Sequence, residues 1–319
     1  MRLWYLPVNS VGGAAAQMDM GSIFRLGGYV MAAYTWTLDA GSGSDDHLVI
    51  ISSNGEIAVY RGSDPSSSTD WSVIGVFTMG RPLGRRCAVK FGGDLAVNTY
   101  EGVYPLGKGL LSSSVDRRVA LTDKIQNSVS QAASTLGANF GWQVCLNADD
   151  NMLILNVPYG GGANYQYAQN TITGAWTVFS GWDAQVWLKA STGLYYGGST
   201  FVNKAWTGNA DISVPITADV CQSFGYFGTK AYNKYFTMIR PYLMTGGSPS
   251  ILYALNTDYE LTEPTGALSY TAPTGMVWGS MVWGSMVWGG GLEPIRAWNT
   301  VGAVANSAAI RLKVLNGGA

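Results

Sequence analysis

Residues 47–106 contain one structural pattern twice, and this repetition limits the folds that the chain can adopt. Residues 47–62 (HLVIISSNGEIAVYRG) predict a β-hairpin, because two apolar runs flank the turn sequence SNG. Residues 70–79 (DWSVIGVFTM) predict a third strand, since they are rich in β-branched and aromatic residues. Residues 85–106 then repeat the plan around the turn GGD. Such a unit cannot bury its apolar face alone, so we expect it to pack against copies of itself.

The same pattern extends over the first two thirds of the chain. Further strands and hairpins are predicted at residues 21–37, 143–157, 165–179, 185–196 and 201–206. Together they predict roughly four or five propeller blades of about 45 residues each. A closed propeller has no exposed edge, so either the ring is small or a segment or partner outside this chain completes it. Residues 2–7 predict an outer strand whose partners precede Met1.

One helix and a second domain complete the predicted organisation. Residues 112–137 predict the helix, with an apolar stripe formed by Leu121, Ile125, Val129, Ala132, Ala133 and Leu136. From residue 214 onward, longer strands predict a β-sandwich-like domain. We therefore predict an all-β chain with a propeller-like platform over residues 1–213 and a sandwich-like domain over 214–319, the latter with an insertion at 271–298.

Composition narrows the classes of partner. Charged residues make up 12% of the chain, about half the usual share, which is typical of virion components and secreted β-proteins. A net charge of −1 gives no overall attraction to nucleic acid, so any DNA contact has to be local. Cys87, Cys145 and Cys221 lack metal-binding spacing, and we expect buried thiols. No signal sequence or membrane-spanning stretch is predicted.

The residues available for catalysis are few. His47 is the single histidine, and neither a serine triad nor a GxSxG sequence accompanies it. Adjacent aspartates occur in predicted turns, where aspartate bonds the backbone: Asp45 with Asp46, and Asp149 with Asp150. A propeller glycosidase is therefore a minor alternative. The turn NADDN resembles a calcium loop only weakly, and no nucleotide-binding glycine motif occurs. We predict no enzyme, no cofactor and no metal.

Two small basic clusters are the candidate contacts with DNA. Arg81, Arg85 and Arg86 form the first, and Arg117 and Arg118 form the second. A few positioned cations are enough to contact DNA phosphates in a channel. The alternative interpretation is a solvated rim without a ligand.

Residues 275–291 (GMVWGSMVWGSMVWGGG) repeat with a period of five, which fits neither a helix nor a regular strand. The repeated residues are Met276, Trp278, Met281, Trp283, Met286 and Trp288. Two interpretations stay open. The tryptophans either pack on each other and anchor a long loop, or form an exposed apolar tip for another subunit or a membrane interface.

Longer stretches resemble a family of tail proteins of short-tailed phages and related prophages. They are EIAVYRGSDPSSSTDWSVIGVFTMGRPLGRR (56–86), FGGDLAVNTYEGVYPL (91–106) and ALTDKIQNSVSQAASTLGANFGWQ (120–143), then NVPYG, QNTITGAWTVFSGW, LYYGGSTFVNKAWTG, FTMIRPYL and AAIRLKVL. This family comprises the tail nozzle proteins, which are also described as tail tubular or packaged-DNA stabilisation proteins. The resemblance implies a β-propeller platform, a homo-hexameric ring beneath the tail adaptor and a lumen that holds the leading end of the genome. It implies no catalytic residue, and relatives extend beyond both ends of this chain.

We therefore expect a structural virion protein of the tail, assembled in the host cytoplasm. Its expected partners are copies of itself, the tail adaptor, other tail proteins and viral DNA bound without sequence specificity. A host surface is a further candidate partner, and no small-molecule substrate is expected. The alternative is a receptor- or glycan-binding propeller at the tail tip. In that case exposed tryptophans would stack on sugars, and the candidates are Trp71, Trp176, Trp182 and Trp206.

Overall fold

A computed structural model describes residues 1–39, 44–111, 117–160, 164–208, 210–211, 214–245, 249–270 and 293–316. Nearly all of its regular structure is antiparallel β-strand, which confirms the predicted all-β class. The chain divides into two compact units, Met1–Ala205 and Trp206–Ala319. Within the described ranges, no helix combines the length and apolar character that crossing a membrane requires.

The described part of the first unit contains five antiparallel sheets, and in each of them strands that are consecutive in the chain are neighbours. Their strands are β1 (Arg2–Tyr5) and β2 (Ala16–Asp19); β3 (Val30–Asp39), β4 (Ser44–Ser52), β5 (Glu56–Arg61) and β6 (Ser72–Thr78); β7 (Ala88–Phe91), β8 (Asp94–Thr99) and β9 (Gly102–Pro105); β10 (Gln143–Asn147), β11 (Met152–Pro158), β12 (Asn164–Asn170) and β13 (Trp176–Ser180); β14 (Val186–Ala190), β15 (Gly193–Gly197) and β16 (Val202–Lys204). The hairpins predicted from residue 47 onward are confirmed. The hairpin predicted at residues 21–37 is wrong, because the only strand in this range is the larger part of β3. The expectation that the partners of residues 2–7 precede Met1 is also wrong, because β1 pairs with β2.

Consecutive sheets pack face to face, with a hydrophobic cluster between each neighbouring pair. In β4, Val49 and Ile51 enter one cluster and Ile50 enters another. In β11, Leu155 likewise enters one cluster and Ile154 enters another. Because both faces of these middle strands are buried, their sequences are continuous apolar runs rather than alternating ones. The outer strands β6 and β13 are mostly exposed, and this layering is typical of propeller blades.

The first strands of neighbouring sheets are aligned side by side. Arg86, just before β7, forms a parallel bridge with Gln143 of β10, and Val144 N donates a hydrogen bond to Arg86 O at 3.3 Å. Gln143 in turn bonds the backbone of β14: its Nε2 donates to Trp187 O at 2.7 Å, and Trp187 N donates to its Oε1 at 2.9 Å. One amide side chain thus joins two sheets at their first strands.

Residues 112–116 of the predicted helix lie outside the described residues, and in the part that the structure describes the α-helix begins only at Gln126. The helices are α1 (Leu106–Leu111) and α2 (Gln126–Leu136), with short 3₁₀ turns at Arg117–Val119 and Asp123–Ile125. The cause is a tertiary contact along the edge of β9. Leu121 N donates to Val103 O at 2.8 Å, and Val103 N donates to Thr122 Oγ1 at 3.2 Å. The backbone before α2 is thereby held against the sheet, while Val129, Ala132 and Ala133 of the predicted stripe are buried.

The second unit contains a five-stranded sheet of order β17-β18-β25-β21-β22 and the two-stranded sheets β19-β24 and β20-β23. The strands are β17 (Ala210–Asp211), β18 (Val214–Cys221), β19 (Lys234–Ile239), β20 (Leu243–Thr245), β21 (Ser250–Thr257), β22 (Gly266–Ala267), β23 (Glu293–Ile295), β24 (Asn299–Ala305) and β25 (Ala308–Asn316). The Tyr253 hydroxyl of β21 donates to Thr300 O of β24 at 3.0 Å and so links two of the sheets. Cys221 is exposed, contrary to expectation, because β18 is exposed along its whole length.

Candidate functional site

Three of the five predicted arginines lie together. Arg81, Arg85 and Arg86 line an open cleft of about 660 Å³ in the first unit. The second basic cluster does not join them: Arg118 is exposed outside the cleft, and the side chain of Arg117 lies outside the described residues. The predicted apolar tip also lies outside the described residues, and it comprises Met276, Trp278, Met281, Trp283, Met286 and Trp288.

The cleft lies at one end of three neighbouring sheets. In an antiparallel meander, the segment that enters the first strand and the turn between the second and third strands are at the same end. Residues 81–86, here named the arginine loop, enter β7, and Tyr100 lies in the turn between β8 and β9. Tyr29 precedes β3, Asn54 lies in the turn between β4 and β5, and Phe140 precedes β10. The regular topology therefore brings distant residues of the sequence into one site.

Backbone hydrogen bonds hold the arginine loop against the β8–β9 turn. Tyr100 N donates to Arg81 O at 2.9 Å, and Leu83 N donates to Asn98 O at 3.1 Å. Leu83 is fully buried, whereas Arg81 is exposed. Gly84 then adopts a φ of +72°, a conformation that favours glycine. Buried apolar residues thus anchor the loop and leave arginine side chains on the cleft side.

Tyr34 of β3 fixes the next part of the arginine loop. Its hydroxyl donates to Arg85 O at 3.2 Å and accepts a hydrogen bond from Ala88 N at 3.3 Å. Burial raises the pKa of Tyr34 to about 12, so the hydroxyl keeps its proton at neutral pH. Burial likewise raises the pKa of the Cys87 thiol to about 12 and keeps it protonated. Neither group is set up to act as a nucleophile or base at neutral pH.

Arg86 has one firm hydrogen bond and spare donor capacity. Its Nη2 donates to Gln185 O at 2.9 Å, and its guanidinium carbon lies 5.2 Å from the centre of the Phe140 ring. Its Nε is buried and has no hydrogen-bond partner among the described residues. Burial lowers the pKa of Arg86, yet an arginine stays charged at neutral pH.

The cleft is positively charged. Arg81 lies over the Tyr100 ring at 5.5 Å, and Arg85 extends into solvent. Across the described part of the chain, none of the three arginines forms an ion pair, and no carboxylate lines the cleft. Because the whole chain has a net charge of −1, this is a local surplus of positive charge that suits an anionic ligand.

The predicted turn aspartates whose side chains the structure describes make ordinary structural bonds, and the side chain of Asp45 lies outside the described residues. Asp149 pairs with Lys189 at 2.5 Å, and Asp150 accepts a hydrogen bond from Asn147 at 2.7 Å. His47 is buried in β4. Among the residues that the structure describes, no three histidine, cysteine, aspartate or glutamate side chains are grouped so that they would hold a metal ion.

Most of the tryptophans considered for sugar stacking pack internally. Trp71 stacks on a tyrosine of β5 at 5.2 Å, and Trp182 stacks on Tyr196 at 5.5 Å. The Trp176 Nε1 donates to a backbone carbonyl at 3.2 Å, and this ring is partly buried. Trp206 is exposed. Three of the four rings are thus engaged within the protein.

Sequence reasoning missed the aromatic part of the cleft. Phe140 is 78% exposed and Tyr29 is 54% exposed, and both line the site. One signal was available: Phe140 stands in the stretch GANFGW, where an aromatic residue among glycines would have poor access to a core. Nothing in the sequence alone placed Tyr29 and Phe140 beside the arginines.

No family model matches this sequence, and no curated protein matches it either. The resemblance to tail proteins is carried only by the sequence stretches quoted above.

Proposed function

We propose that this chain is a structural protein of a phage tail. It forms a homo-oligomeric nozzle ring that continues the DNA channel, retains the packaged genome and opens for ejection. It acts by assembly and needs neither a catalytic residue nor a cofactor. Its partners are copies of itself as a hexamer, the tail adaptor, other tail proteins and viral DNA, and it resides in the virion after assembly in the host cytoplasm.

The observation that carries the proposal is the arginine cleft. Arg81, Arg85 and Arg86 present three guanidinium groups at the loop end of stacked sheets, with no carboxylate in the described lining. Contacts between arginine and phosphate position DNA without reading its sequence. A protein that holds and releases a whole genome needs contacts of this kind, because every sequence must pass it.

The exposed strands support assembly into an oligomer. All residues of β18 are exposed, including the apolar Val214, Ile216 and Val220. The outer strand β6 likewise exposes Val73 and Ile74. Exposed apolar strands are a liability in a monomer and suit burial between subunits.

The alternative is a receptor- or glycan-binding protein of the tail tip, and the internal packing of Trp71, Trp176 and Trp182 weighs against it. Mass spectrometry of purified tail particles, combined with gold labelling of an affinity tag on this chain, separates the two. The nozzle proposal predicts a constant copy number relative to other tail proteins and a label on the tail axis. Absence from the particles, or glycan binding by a free monomer, would contradict it.

A further inference from the structure

The arginine cleft contains features that a purely electrostatic contact with duplex DNA does not need. Beside its three guanidinium groups it presents Phe140 and Tyr29, which are 78% and 54% exposed. An exposed phenylalanine contributes little to its own core, and Phe140 already has the Arg86 guanidinium 5.2 Å from its ring centre. An arginine beside an exposed aromatic ring forms a surface on which a flat group can stack.

The shape of the site restricts what can reach these rings. The cleft is a concave space of about 660 Å³, within the size range of pockets that enclose one small ligand. In a DNA duplex the bases are stacked in the interior, so a protein meets the phosphates and the edges of the bases in the grooves but not the base faces. An unpaired nucleotide, by contrast, offers a phosphate and a free base face together. Proteins that bind single strands combine positive grooves with aromatic stacking residues in this way.

We propose that the arginine cleft binds an unpaired nucleotide of a DNA strand, with the phosphate at Arg85 and Arg86 and the base stacked on Phe140. Both arginines line the cleft, and no carboxylate in its described lining competes with a phosphate there. Base stacking is tolerant of sequence, so the site takes any base at a frayed or single-stranded end. This inference rests on the proposed function for the identity of the nucleic acid and adds that an end, rather than the duplex, occupies the cleft.

The test is a titration of the full chain with a fluorescein-labelled oligothymidine, a duplex of equal length and inorganic polyphosphate as competitor. We expect tighter binding of the oligothymidine than of the duplex and weak competition by polyphosphate. Phe140→Ala should weaken oligothymidine binding by about tenfold or more, the usual range for losing one stacked base. Trp4→Ala, which removes an exposed aromatic ring outside the cleft, should leave the affinity unchanged.

The charge is tested separately. Arg85→Gln should weaken binding and reduce the slope of log affinity against log salt by about 0.7, the value for one single-strand phosphate. Arg25→Gln is the matched control, since Arg25 is exposed and does not line the cleft. Melting temperatures and elution volumes identify any variant that has failed to fold.

Equal affinity for oligothymidine and duplex would overturn the inference, as would full competition by polyphosphate or unchanged binding by a folded Phe140→Ala protein. Failure of this inference can be distinguished from failure of the proposed function. A six-fold ring that does not bind oligothymidine overturns the cleft assignment alone. A monomer that binds it in the predicted manner overturns the nozzle and supports the nucleotide site.

Discussion

At the level of single residues, the hydroxyl of the partly buried Tyr34 fixes the position of the arginine loop. Tyr34→Phe removes the partner of both Arg85 O and Ala88 N. Leaving such groups without hydrogen bonds costs about 1–3 kcal/mol, so we expect a lower melting temperature for the first unit. Tyr159→Phe, at an exposed tyrosine, should have no effect. A Tyr34→Phe protein as stable as the parent would show that the loop does not depend on this hydroxyl.

An ion pair of the second unit makes its stability depend on pH. Arg311 donates from Nε and Nη2 to the Asp219 carboxylate at 2.9 and 2.6 Å, and these hydrogen bonds lower the pKa of Asp219. Lys313 and Arg311 likewise lower the pKa of Glu263. Because the folded pKa lies below the unfolded one, the stabilisation is complete above an unfolded value of about 4 and is lost as the pH falls through the folded value.

Asp219→Asn should therefore lower the melting temperature at neutral pH, and its effect should shrink as the pH falls through the lowered pKa of Asp219, because the carboxyl then becomes protonated in the folded protein as well. Thermal unfolding monitored at several pH values measures the difference. An equal loss at every pH would mean that the residue acts through packing rather than through its charge.

At the scale of elements, the tight turns between strands determine which loops meet at the cleft. Gly55 in the β4–β5 turn has a φ of +89°, and a Cβ added there would lie 2.3 Å from Met79 O. We expect Gly55→Ala to destabilise the first unit by about 1–3 kcal/mol or more. Gly93→Ala is the control, because a Cβ at Gly93 meets nothing within 4 Å. Denaturant unfolding compares the two, and equal stability would contradict the geometry described for this turn.

The hairpins were predictable because their signals are local. Turn sequences such as SNG and alternating or apolar runs act within a few residues, so the strand pairs around Gly55 and Gly93 follow from sequence alone. The start of α2 was not predictable in this way. The hydrogen bonds of Leu121 and Thr122 with Val103 are tertiary, and they keep residues with helical periodicity out of the helix.

The candidate site was predictable only in part, for the same reason. Arg81, Arg85 and Arg86 are near neighbours in the chain, so their clustering is visible in the sequence. Tyr29 and Phe140 enter the site because they precede the first strands of the two flanking sheets. That placement depends on the stacking order of the sheets, which local patterns do not encode.

At the level of the whole molecule, we propose that copies of this chain form a nozzle ring around DNA. The stacked sheets of the first unit and the exposed apolar strands β6 and β18 provide surfaces that suit a neighbouring subunit. An assembly of this kind would bury them, and the cost of ordering the contacts would be offset by the apolar area removed from water.

The most direct measurement is the mass and symmetry of the assembled protein, obtained by mass photometry and by electron-microscopic class averages of purified particles. We expect a six-fold ring with a central opening and a mass about six times that of one chain. A stable monomer at all working concentrations, absent from tail particles, would contradict it.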